Sequence, residues 1–285
     1  MVTSSFGDRL ERTFAASGRL CVGIDPHRFL LDAWGLADSA TGAESFGLTV
    51  VEAVAGRAGI VKPQIAFYER FGSAGYLALE RVLAAARDAG LLVIGDVKRG
   101  EIGTSMEAYG EAWLTPGSSL EVDAMTVNPY LGFGSFAGTF AFAEANGKGA
   151  FVLTATSNPE GRTVQTAADP GTGRSVARGI ADSIDEWNTA NSTGAFGSIG
   201  AVIGATLDLA EFGLEAPSAG RTAVVPVLAP GFGHQGAKIE DAAQIFGAAL
   251  PGVIVSESRS ILGAGPDGLA SAVERTADNV RTAIG

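Results

Sequence analysis

Cysteine is almost missing: Cys21 stands alone among 285 residues, so no intrachain disulfide can form and a cysteine-based metal site lacks ligands. Histidine is nearly as scarce, with only His27 and His234, which leaves a histidine-rich metal cluster without material. No apolar run approaches the roughly 18–20 residues that a membrane span needs. The opening segment, "MVTSSFGDRLERTFAASGRL", lacks the basic-then-apolar layout of a secretion signal. Net charge is -11, which argues against a general nucleic-acid or anionic-membrane binder. A local basic pocket for one phosphate is still compatible with that balance. The expectation is a soluble, cytoplasmic protein with no metal, no nucleic acid and no membrane partner. Lysine is rare as well: sixteen arginines accompany four lysines, Lys62, Lys98, Lys148 and Lys238. Arginine supplies most of the surface cations, which singles out any lysine placed at the end of an apolar run.

Apolar residues make up 46% of the chain, enough for a sizeable core. They gather in eight runs of strand length, over 19–25, 59–67, 91–98, 124–130, 149–156, 198–205, 223–231 and 253–258. Near-continuous apolar character predicts strands buried on both faces, as in parallel sheets. Helical patterns lie between them, over 69–89, 174–189, 238–250 and 267–283. In the first, Leu77, Val82, Leu83 and Ala86 should share a face, with Gly90 ending the helix. Phe6, Leu10 and Phe14 recur every four residues and predict an extra N-terminal helix. Eight strand–helix units predict an α/β protein, a single (β/α)8 TIM barrel over 1–285 with that helix closing its bottom. The competing architecture, an open doubly wound sheet, would place G-x-G-x-x-G after the first strand, and none is there. Stretches 157–173 and 207–222 look like inserted loops rather than linkers. The first is rich in glycine, threonine and acidic residues and is a candidate to close over a ligand.

In such a barrel the chemistry sits at the C-terminal ends of the strands. There the sequence places Asp25, Lys62, Asp96 with Lys98, Asn128, and Thr156 with Ser157. Alternating charges in one mouth compensate one another's burial. Asp96 and Lys98, two apart, face the same way on a strand, and the acid favours the protonated amine, a ready proton donor. A structural ion pair at the barrel rim would look the same. Lys62 equally suits a snorkelling rim lysine, and Asp25 a cap for the helix that follows. The last two loops, "APGFGHQG" (229–236) and "SESRSILGAG" (256–265), lie where barrels often bind phosphate through glycine amides, with Arg259 able to add a bidentate contact. His27 and His234 are taken as loop residues, and Cys21 as a buried structural thiol.

Taken together, "CVGIDPH", "IVKPQIAFYERFG", "DVKRGEIG", "TVNPYLGFGS", "TSNPEG", "PGFGHQG" and "SESRSIL" resemble the orotidine 5'-phosphate decarboxylase family over nearly the whole chain, and most closely its longer bacterial branch. The resemblance implies a barrel that works as a homodimer, converts orotidine 5'-phosphate to UMP and needs no cofactor. It implies a charged network of Lys62, Asp96 and Lys98, completed across the interface by the acid at position 101. Asp25 and Lys62 would contact the ribose, Ser157 the pyrimidine edge, and Gln235 and Arg259 the phosphate. Ser105 stands where the family has threonine. Lys98 would protonate C6 of the pyrimidine after carbon dioxide leaves.

One residue departs from the pattern. The family motif ends in aspartate, whereas this chain has Glu101, longer by one methylene or roughly 1.5 Å. Misplacement by about 1 Å can cost on the order of 10²-fold in rate. Three explanations stand: the loop backs off to seat a tolerated natural glutamate, the residue was introduced to probe the site, or turnover is impaired while nucleotide binding survives. Two further readings compete: a non-catalytic nucleotide-binding protein, and a related sugar-phosphate decarboxylase or aldolase whose D-x-K-x-x-D scaffold holds Mg²⁺. "TSNPEG" and "PGFGHQG" speak against the latter. A Schiff-base lysine is also disfavoured, because a neighbouring carboxylate keeps the amine protonated.

Overall fold

A computed structural model describes residues 4–216 and 220–285. The chain runs α1 (Phe6–Ser17), β1 (Leu20–Ile24), α2 (Arg28–Ala33), α3 (Ala40–Val54), β2 (Ile60–Pro63), α4 (Ala66–Glu69), α5 (Gly72–Asp88), β3 (Leu92–Arg99), α6 (Gly103–Leu114) and β4 (Ala124–Val127). It continues through α7 (Ala137–Ala145), β5 (Gly149–Ala155), α8 (Pro159–Gln165), α9 (Val176–Asn191), β6 (Ile199–Ile203), β7 (Val227–Pro230), α10 (Ala242–Phe246), β8 (Val253–Glu257), α11 (Arg259–Leu262) and α12 (Gly265–Ile284). The strands pair in sequence order, all parallel, and β8 returns to β1 to close the barrel. This is the expected (β/α)8 architecture.

Alternation along each strand divides the core in two. One set of side chains, including Val22, Val61, Val93 and Val255, points outward and packs under the helices. The other, including Cys21, Ile60, Ile94, Phe151 and Ile254, fills the barrel interior. Phe6 and Leu10 of α1 belong to this inner set, fully buried, so the N-terminal helix does close the bottom. A capping box at Ser5 and Asp8 fixes where α1 starts. The Phe6 ring meets Phe151 edge-on at 5.9 Å, and Gly149 makes room for it. A Cβ added at Gly149 would lie 2.5 Å from the Phe6 ring. Cys21 is buried in this inner layer, and burial pushes its thiol up to about 12, an inert structural group as expected.

The differences from expectation are local. Residues 64–67 leave the second strand: after Pro63 the chain turns into α4, with the Phe67 amide donating to the Gln64 carbonyl. The fourth strand stops at Val127, where Asn128 caps a 3₁₀ turn begun by Pro129. The seventh starts only at Val227, after Pro226, which has no N–H for the ladder. The helix expected over 238–250 is broken, because Gly247 sits at φ 46° and Pro251 follows. On α5 the buried face is Leu79, Val82, Leu83 and Ala86; Leu77 is half exposed. Gly90 takes the left-handed position just after the cap residue, Ala89. Segment 157–173 is not a plain loop, since α8 occupies its first half. Helices α3, α6 and α7 add to the helical stretches read from the sequence pattern. Among the described residues no helix is long and apolar enough to cross a membrane.

Candidate active site

The strands' C-terminal ends surround a cavity of about 400 Å³. Asp25, Lys62, Asp96 and Lys98 line it, together with Ser157, Gln235 and Arg259. Seven of the nine residues that the family resemblance matches to site positions therefore meet at one place.

Asp96, only 7% exposed, is the hub. Its Oδ2 accepts from the Lys62 ammonium at 2.9 Å, and its Oδ1 from that of Lys98 at 2.6 Å. Burial alone would raise its pKa, but the two lysines outweigh that and hold the carboxyl well below the usual carboxylate range. Lys62 shows the converse balance. Burial favours the neutral amine, yet the Asp96 and Asp25 carboxylates raise its pKa and keep it charged.

Lys98 has a conformation no other described non-glycine residue shares, with φ at 46°. The left-handed region costs an L-residue about 1–2 kcal/mol. Its cause is visible in the pairing of β3 with β4. Gly95 pairs with Met125 and Arg99 with Val127, so Asp96, Val97 and Lys98 together face Thr126. The strand bulges there and projects Lys98 into the mouth, its side chain 45% exposed. The Lys98 amide donates to Thr126 Oγ1 at 2.9 Å, and the Thr126 hydroxyl donates to Asp96 Oδ1 at 2.9 Å. Gln64 Oε1 accepts from the Lys98 ammonium at 3.3 Å. The sequence reading missed Thr126 and Gln64: a threonine inside a strand and a glutamine after one carry no signal of their own.

Asp25 does not cap α2. His27 occupies the cap position, and the buried Oδ1 of Asp25 has no hydrogen-bond partner among the described residues. Ser258, on the same side of Gly23 as Asp25, also has a buried hydroxyl without a partner among the described residues. Unsatisfied polar atoms beside a cavity are places where a ligand's hydroxyls or phosphate oxygens can bind. His27 and His234 line the same cavity, so both are more than remote loop residues. Ser157 follows β5 in a turn braced by α8, since the Gln165 side chain accepts from the Thr156 amide at 2.9 Å and donates to its hydroxyl at 2.8 Å.

Glu101 and Ser105 lie outside the cavity of a single chain. Ser105 is exposed in the first turn of α6, and the Glu101 carboxylate accepts from the amide of Ile102, at 3.4 Å. Both stand on the rim, on the loop and helix that follow β3.

Comparison with known proteins supplies the remaining identification. Residues 18–274 match the family described as orotidine 5'-phosphate decarboxylase / HUMPS. Relatives called orotidine 5'-phosphate decarboxylase include one from Salinispora arenicola, 49% identical over 98% of each chain, and one from Streptomyces coelicolor, 47% identical over 98% of each. A crystal structure of a Streptomyces avermitilis protein assigned to the same enzyme superimposes with a TM-score of 0.91 at 45% identity, covering 100% of this chain and 97% of that one. The Leishmania donovani OMP decarboxylase shares 26% identity and a TM-score of 0.75 over 98% of each chain. With a shared barrel, a motif set spread from β1 to β8, and relatives near half identity over their full length, the chain belongs to the orotidine 5'-phosphate decarboxylase family.

Proposed function

We propose that this protein decarboxylates orotidine 5'-phosphate to UMP, with Lys98 as the proton donor. The observation that carries the reading is the Lys62–Asp96–Lys98 array, in which one buried carboxylate binds two ammonium groups at the mouth of the barrel. Heterolysis of the bond from C6 to the carboxylate releases carbon dioxide and leaves an electron pair on C6. The Lys98 ammonium stabilises that pair and then transfers a proton to it; solvent restores the lysine's proton. Asp96 positions Lys98 and lies where the departing carboxylate must sit. At the other end Gln235 and Arg259 hold the phosphate, Ser157 the pyrimidine edge, and Asp25 with Lys62 the ribose hydroxyls, for which the unpaired Asp25 oxygen is suited. Remote binding of this kind keeps the reacting carbon in place.

The working form is a homodimer in which Glu101 of one protomer enters the site of the other. Supporting this, Ile102, Tyr130 and Leu131 are 60%, 80% and 47% exposed on the same rim. Their loops are neighbours, because Gly100 approaches the Asn128 carbonyl so closely that an added Cβ would lie 2.4 Å from it. Ser105 lies on the same side and would reach the site with Glu101. Residues 1–285 act as one catalytic domain, and the protein works in the cytoplasm without cofactor or metal. A Mg²⁺-dependent sugar-phosphate reaction fits poorly, since Asp96 is already committed to two ammonium groups.

The test is ultraviolet observation of orotidine 5'-phosphate with purified protein in EDTA. Conversion to UMP is the expected result, and shows that glutamate serves at position 101. Failure in protein that binds UMP, with turnover restored in Glu101→Asp, would instead mark the site as impaired. Failure in both variants would overturn the decarboxylase reading.

A further inference from the structure

We propose that Thr126 is the positioning residue of this site: its hydroxyl sets the Lys98 backbone and the Asp96 carboxylate in register with each other. The inference deepens the decarboxylase reading and rests on it for its kinetic part. Its basis is one hydroxyl with two obligations. The bulge in β3 removes the Lys98 amide from the β4 ladder, and Thr126 Oγ1 accepts it at 2.9 Å. A hydroxyl has a single proton to give, and Thr126 gives it to Asp96 Oδ1 at 2.9 Å. That oxygen also accepts from the Lys98 ammonium. A closed circuit results: Lys98 amide to Thr126, Thr126 to Asp96, Lys98 ammonium to Asp96. The donor is held at both its backbone and its head, and the two holds share a residue.

Valine at 126 would keep the shape and remove both bonds. The Lys98 amide would lose its acceptor at a left-handed residue, and Asp96 would lose one of three side-chain donors. Thr126 is 1% exposed and flanked along the strand by Met125 and Val127, so an apolar, β-branched substitute suits the strand. Serine would keep the hydroxyl. A threonine serving only to fill the barrel would tolerate valine better than serine, the opposite order.

The experiment compares Thr126→Val and Thr126→Ser with the unaltered protein, measuring kcat, KM for orotidine 5'-phosphate, and UMP affinity by calorimetry. A crystal structure of the valine variant supplies a readout independent of turnover. The expected result is a kcat reduced on the order of 10²-fold in the valine variant, from displacement of the donor by about 1 Å. UMP affinity should stay within about threefold, and serine should recover most of the rate. In the crystal the Lys98 backbone should leave the left-handed region. The proposal is overturned if valine keeps kcat within about threefold, if serine loses as much as valine, or if UMP affinity falls in parallel with kcat. Absence of turnover in both the unaltered protein and Glu101→Asp would defeat the decarboxylase reading instead. The Lys98 backbone in the valine variant would then decide the positioning role alone, an unmoved Lys98 overturning it.

Discussion

Asp96 receives two lysine ammonium groups and a threonine hydroxyl on its two oxygens, so no neighbouring residue acts independently of it. Removing Lys98 should therefore separate chemistry from binding. Lys98→Ala takes away the proposed donor but leaves Lys62 to neutralise Asp96, and its turnover should fall about 10²–10⁴-fold or more while UMP affinity is largely retained. Normal turnover by that variant would show that another group donates the proton. At this scale the sequence was informative about charges and uninformative about what orients them. Asp96 and Lys98 stood out by their spacing at the end of an apolar run. Thr126 and Gln64 did not, because their roles arise from a bulge whose register no spacing rule reveals. Asp25 was open to two interpretations, and the structure removes one: the helix it would have capped starts at a different residue.

Among the elements, α1 ties the far end of the molecule together. It contributes Phe6 and Leu10 to the interior layer that side chains of β1, β3 and β5 also form, with Phe6 against Phe151 of β5. Phe6→Ala should cost about 3–5 kcal/mol, read as a lower midpoint in urea unfolding, with the turnover of the remaining folded protein unchanged. An unaltered midpoint would show that the bottom of the barrel holds without its plug. The four-residue recurrence of Phe6, Leu10 and Phe14 made this helix legible, and the parallel strands were equally plain because both their faces are apolar. Helices α3, α6 and α7 were harder. Phe46, Val50 and Val54 in α3 and Met106, Trp113 and Leu114 in α6 are buried, but glycines interrupt those faces and the apolar Leu48 and Tyr109 lie exposed between them, which blurs the apolar period. Strand ends moved wherever a proline or a cap intervened, at Pro63, Asn128 and Pro226.

For the whole molecule, the exposed apolar rim beside Glu101 matters most. Tyr130→Asp should drive the proposed homodimer toward monomer in sedimentation and lower turnover with it, since the proposed crossing of Glu101 into the other site would be lost. A dimer that persists would place the interface elsewhere, and a monomer with full activity would show that the acid at 101 has no role across it. Among the described residues nothing brings Glu101 to Asp96, so its proposed role across an interface rests on the resemblance. The barrel has a further property in time. β1 and β8 pair directly, Leu20 beside Val255, though almost the entire chain separates them. At about 5–20 residues per second, roughly 10–50 s pass between synthesis of the two strands. Throughout that interval the edge of β1 that faces β8 has unpaired N–H and C=O groups, open to pairing with other chains until the last strand arrives.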